Sequence, residues 1–163
     1  MIGYAEDLRE TVTRAGERLL MVSEADAARR PGPGKWSAKE IIGHLVDSAA
    51  NNHQRFVRAQ FQDDLIFTGY AQAEWVQAQR YQDAPWQSLV VLWREYNVHL
   101  ARVMDATPET VRLRERRRHN LQQIALNPVA EHTPATLDYL MRDYVVHLHH
   151  HLRQVSGLLR LEF

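Results

Sequence analysis

Apolar side chains recur at steps of three and four along the first stretch of the chain: Tyr4, Leu8, Val12, Ala15, Leu19 and Val22, with charge on the other faces. That period predicts one amphipathic helix over 4–28. It must stop before Arg29-Arg30-Pro31-Gly32-Pro33-Gly34, because proline and glycine at that density cannot continue a helix. The next helix is announced by Ser37-Ala38-Lys39-Glu40, a capping box in which hydroxyl and carboxylate each satisfy an orphan amide. Trp36 stands where a residue staples the entering chain. Ile41, Leu45, Ala49 and Phe56 form its buried stripe, widened by Ile42 and Val46. His44 lies on the inward edge of that stripe, and Asp47, Ser48, Asn51 and Asn52 crowd polarity beside it. Polar groups where packing prefers apolar ones suggest a wet or functional cavity.

Residues 62–72 read as a loop, followed by a short helix over 73–81. Asp83-Ala84-Pro85-Trp86 starts a third long helix, with Pro85 near its first turn. Trp86, Leu89, Val90, Trp93, Leu100, Val103 and Met104 give its core face, which ends near Asp105. Residues 106–132 show no sustained period and predict a long, partly ordered connection over one end of the bundle. Its length allows a crossover between helices that are not antiparallel neighbours. Thr133-Pro134 predicts the opening of the last helix. Leu137, Met141, Tyr144, Leu148, His151, Val155 and Leu158 then alternate steps of four and three, which sets His151 in a core seam normally taken by leucine. Four long helices without repeats or strand signals define an all-α, four-helix bundle with a long crossover connection, expected as a single domain over 1–163.

Composition narrows the function. The 163 residues are 45% hydrophobic and 25% charged, with twenty basic and twenty acidic groups and no net charge. No global field therefore draws the chain to nucleic acid or to an anionic membrane, and no apolar run reaches a membrane span of about 18 residues. The N-terminus lacks the basic and apolar regions of a signal peptide, and a cytoplasmic location is expected. Cysteine is absent, so thiol chemistry would need a small-molecule thiol.

Candidate chemistry concentrates in the last helix, where His147, His149, His150 and His151 fall within five positions. His147 and His151 are one turn apart and project from one face roughly 5–6 Å apart at Cβ. Such a pair can grip one divalent metal, although a lone pair serves equally well as packed or surface residues. His44 is the expected third ligand. Three histidines from two helices would form a three-nitrogen site with an open position, the pattern of catalytic rather than structural zinc. Helical phase turns His149 to solvent and leaves His150 close enough to support the site. Asp47 and Asp143 each lie one turn from a candidate ligand and could orient an imidazole. The bland reading, an exposed carboxylate, stands beside that one. His53, His99, His119 and His132 read as surface residues. The run Arg112, Arg114, Arg116, Arg117 and Arg118 is either a solvated loop or a local site for carboxylate or phosphate. No His-Glu-x-x-His motif supplies a built-in base.

Two stretches carry a resemblance. Lys35-Trp36-Ser37-Ala38-Lys39-Glu40-Ile41-Ile42-Gly43-His44-Leu45-Val46-Asp47-Ser48, and Thr136-Leu137-Asp138-Tyr139-Leu140 with His147-Leu148-His149-His150-His151-Leu152-Arg153-Gln154-Val155, resemble the signature segments of the DinB-like metal-binding four-helix family. The resemblance implies a metal, typically zinc or nickel, held by His44, His147 and His151, with water completing the shell. It also implies a crossover topology and often a homodimer. Branches of that family include low-molecular-weight-thiol S-transferases, a thiol-dependent isomerase and metal-dependent hydrolases. The expected function is an enzyme whose metal activates a thiol or a water against a small-molecule substrate. The rival is a metal-stabilised bundle that binds a ligand or protein partner without turnover.

Overall fold

Each long element of the computed structural model, which describes residues 2–163, begins at a local signal. The first amphipathic pattern forms two helices rather than the single one expected: α1 (Gly3–Leu19) and α2 (Glu24–Ala28). The break falls at 20–23, and Ser23 restarts the helix by accepting a hydrogen bond from the Asp26 amide at 3.1 Å. A Ser-x-x-Asp cap was therefore present inside the periodic stretch, where the continuing period obscured it. Helix α3 (Ala38–Arg58) opens on the expected capping box, with the Glu40 amide donating to Ser37 Oγ at 3.3 Å and the Ser37 amide to Glu40 Oε2 at 2.9 Å. Glu40 also pairs with Arg30 at 2.5 Å, which ties the proline–glycine segment to the helix start.

A short helix, α4 (Gln72–Ala78), and one 3₁₀ turn (Tyr81–Asp83) precede α5 (Trp86–Ala106), which follows directly on Pro85. The connection from 107 to 136 holds only two single-turn helices, α6 (Glu109–Arg112) and α7 (Leu121–Ile124). It is nevertheless ordered by backbone pairing. Arg116 exchanges both backbone hydrogen bonds with Ala135, at 2.8 and 3.0 Å, while Leu65 donates to Arg118 and accepts from Asn120. Helix α8 (Leu137–Leu159) starts three residues later than expected. Thr136, not Thr133, caps it through a 3.1 Å bond from the Tyr139 amide, because Ala135 is still extended against Arg116.

The four long helices pack in the ring order α1, α5, α3, α8, so α1 and α3 are diagonal and so are α5 and α8. Consecutive long helices are neighbours only at the α3-to-α5 step, and the two remaining connections cross the bundle. Helix α2 anchors the first crossing: Glu24 receives the buried Lys39 ammonium and the Trp86 amide, linking it to both α3 and α5. The core is filled by the predicted stripes, including Leu8, Val12, Phe56, Trp86, Trp93, Leu100, Leu137 and Leu148. Gly43 is required by a close approach. A Cβ there would meet the Tyr81 ring at 2.2 Å, so the tyrosine lies directly on the α3 backbone. No helix among the described residues is long and apolar enough to cross a membrane.

Candidate metal centre

The diagonal topology makes α3 and α8 neighbours, and their interface carries the polarity noted along both helices. His44 is fully buried there. Its Nε2 lies 3.4 Å from His147 Nε2. Ring centroids stand 4.7 Å apart for His44–His151 and 4.5 Å for His147–His151. One nitrogen from each of the three rings lies within 4.8 Å of the others. Trp36 packs on the His44 ring at 5.4 Å between centroids, so the residue expected as a staple also walls the site.

Two observations test whether this set fits a cation. Two nitrogens bound to one tetrahedral ion at about 2.0–2.1 Å stand roughly 3.3–3.4 Å apart, which matches the spacing of His44 and His147. One tautomer suits the neighbours of two rings: His151 Nδ1 lies 2.9 Å from Gln154 Oε1 and His147 Nδ1 lies 3.5 Å from Ser48 Oγ, so a proton on Nδ1 of each would have an acceptor and would keep Nε2 available. His44 Nδ1 is buried without a hydrogen-bond partner among the described residues.

All three imidazoles are held neutral. Burial, with the nearby His151, pushes the His44 pKa down to about 4. Burial and the other site histidines push His147 down to about 3. His151 is lowered by burial and by His150, against the opposing Gln154 hydrogen bond. Neutral imidazole is the form that ligates, so little proton release opposes binding near neutral pH.

The orienting groups differ from those expected. Asp143 accepts from the Leu126 amide at 2.7 Å and from the Asn127 amide and side chain at 2.9 Å, so it pins the crossover connection rather than a histidine. Asp47 accepts from Tyr81 Oη and Gln79 Nε2, each at 2.7 Å, on the side of α3 facing the 3₁₀ turn. Ser48 and Gln154 occupy the positions beside the rings instead. Both lie one turn from a ligand in the sequence, a spacing that carboxylates shared and therefore could not single out. His150 is exposed and receives the Gln154 amide at 3.2 Å, one step behind His151. His149 turns away, toward Asp7 of α1 at 2.9 Å. His119, expected at the surface, is buried and holds the connection through Thr133 O at 2.8 Å and the Leu121 amide.

The arginine run does not converge on the histidines. Arg112 joins Tyr4 and Arg142 on the Asp138 carboxylate. Arg116 is buried and donates to Ala59 O at 2.9 Å, Arg114 reaches Asp63 and Gln62 O, and Arg118 faces Asp64 at 3.8 Å. Arg117 is exposed. Four of the five brace the crossover; none lines the cavity beside the site.

That cavity, of about 360 Å³, opens between α3, α8 and the segments around residues 70 and 125, and His147, His150 and His151 form one wall. The site thus has histidine nitrogens at a cleft, which a closed structural site would lack. The crossover four-helix bundle matches a known class. The model of the DinB superfamily matches residues 6–155, and the chain belongs to that superfamily. Its fold is similar to that of YfiT from Bacillus subtilis, described as a probable metal-dependent hydrolase with an unusual four-helix bundle topology. The TM-score is 0.78 at 18% identity, over 96% of this chain and 84% of that one. No curated protein matches the chain.

Proposed function

We propose that the chain is a metal-dependent enzyme in which His44, His147 and His151 hold one divalent cation, zinc or nickel, beside a small-molecule cavity. The observation that carries this reading is the convergence of three neutral imidazoles, two of which, His147 and His151, line an open cleft while His44 is buried behind them. The cation would act as a Lewis acid, lowering the pKa of a thiol or water placed in its open position. Ser48 and Gln154 orient His147 and His151, while Trp36 shields His44 from solvent. The transferase version suits a chain without cysteine, because the nucleophile is then a small-molecule thiol. The hydrolase version needs a group to take a proton from water. Both Asp143 oxygens already accept N–H donors, which leaves His150 as the cavity-wall residue with a basic nitrogen. The non-catalytic alternative predicts a closed shell or a dry core at the histidines, whereas this site borders a cavity lined by polar side chains.

Elemental analysis of the purified protein, followed by thiol-transfer and hydrolysis screens with and without chelator, tests the proposal. One equivalent of metal and chelator-sensitive turnover are expected. Metal-free protein that takes up no added zinc or nickel overturns the reading.

A further inference from the structure

One wall of the cavity carries a cation that the histidine site does not use. Arg55 of α3 is 6% exposed and lines the same cleft as His147 and His151. Its guanidinium bonds only neutral groups, Asn52 Oδ1 at 3.4 Å and Thr68 O at 3.3 Å, and it pairs with no carboxylate among the described residues. A buried cation that meets only long bonds to neutral acceptors is costly to hold. Burial lowers its pKa, yet an arginine stays charged at any physiological pH. The other ionisable groups on the cavity wall do not neutralise it. The Asp143 carboxylate is turned to the 126–127 amides, and burial pushes the Tyr70 phenol up to about 12, so it stays neutral.

We propose that Arg55 is the anion-recognition residue of this cavity, selecting substrates that carry a carboxylate at the end opposite the reacting group. The inference rests on the metal-dependent reading for the location of that reacting group. Ser48, Asn52 and Arg55 follow one another on one face of α3, with Ser48 against His147. Seven residues of helical rise separate Ser48 from Arg55 by about 10 Å, and the long side chain leans back toward the helix start and shortens that span. A planar guanidinium in a desolvated wall is suited to a bidentate carboxylate. Between the two ends, Ile124, Leu126 and Leu140 offer an apolar surface. The substrate class is therefore a small, elongated monoanion with an apolar middle, and about 360 Å³ accommodates a molecule of that size.

The test uses two probes of equal length, ω-mercaptohexanoate and ω-mercaptohexanol, titrated calorimetrically into the full-length protein in its Co²⁺-loaded and chelator-treated forms. The carboxylate is expected to bind roughly tenfold or more tightly than the alcohol in both forms, since a hydrogen bond between two charged groups is stronger than one to a neutral hydroxyl. Arg55→Gln should erase the preference without changing Co²⁺ content, the Co²⁺ absorption spectrum or the affinity for the alcohol. Arg55→Lys, which keeps the charge, should retain part of it and guards against a folding defect in the glutamine variant. Equal affinities for the two probes in the wild type, or an intact preference in Arg55→Gln, overturns the proposal. Wild-type protein that takes up no Co²⁺ but prefers the carboxylate would remove the metal reading and leave the anion site standing.

Discussion

The α3–α8 seam and the crossover connection at 107–136 each carry a conspicuous group of polar side chains, and the fold puts the two to different uses. In the connection the charged groups are tied to the rest of the fold: Arg112 finds Asp138, Arg116 finds Ala59 O, and Asp143 of α8 holds the backbone amides of 126 and 127, although Nε of Arg112 and of Arg116 has no partner among the described residues. In the seam the polar groups remain incomplete. Two imidazole nitrogens face each other at 3.4 Å, His44 Nδ1 has no partner, and Arg55 has only neutral ones. A conspicuous charge run thus became structural bracing, because complementary groups were within reach. Uncharged residues became the candidate site because their requirements were left open toward a cavity. Position beside a cavity, rather than charge density, distinguishes the two regions: His147, His151 and Arg55 line it, and no arginine of the 112–118 run does.

Removing a ligand separates the regions most sharply. His151→Ala should abolish stoichiometric metal binding while His149→Ala, whose ring pairs with Asp7, leaves it intact; equal metal content in the two variants would break the triad. The reverse perturbation is Asp138→Ala, which strands Arg112 and should cost about 3 kcal/mol in urea unfolding with metal content unchanged. A shift near zero would show that the connection is not braced as described. Smaller again, Gln154→Leu releases the His151 ring and should weaken metal affinity roughly 10–100-fold with little change in fold stability.

Acid provides the gentlest separation. In metal-free protein His44 and His147 titrate near 4 and 3 when folded, against an ordinary value of 6.5. The unfolded chain binds more protons below 6.5, so stability declines as pH falls from there, by about 1.4 kcal/mol per unit for each histidine. Asp138 behaves differently: burial raises its pKa, but hydrogen bonds from Arg142, Tyr4 and Arg112 hold it below 3.8, and its contribution is lost only beneath that value. Denaturant titrations of the metal-free protein between pH 7 and 5 should therefore show stability falling toward acid as the buried histidines demand, and a flat profile would contradict the buried neutral rings.

Much of this was readable along the chain where the cause is local. The α3 capping box and the third helix near 86–105 depend on residues a turn apart, as did the helical phase that turns His149 from His147 and His151. Those positions landed where their spacing put them. Errors arose where two local signals competed. The continuing apolar period hid the Ser23 cap, and Thr133-Pro134 outshone Thr136, because neither cap shows whether the preceding residue is already paired elsewhere.

The sequence alone determined which side chains share a face, since helical period is a property of neighbouring residues. It therefore determined an all-α fold and the inward aim of His44, His147 and His151. Only the tertiary structure decided what each face meets. The diagonal ring order sets α3 against α8, sends Asp47 to Tyr81 and Asp143 to the crossover, assigns Ser48 and Gln154 to the rings, and leaves Arg55 facing the cavity. The physical reason is that a buried polar group is governed by the partners within about 3 Å, and here most of those partners lie tens of residues away in the chain.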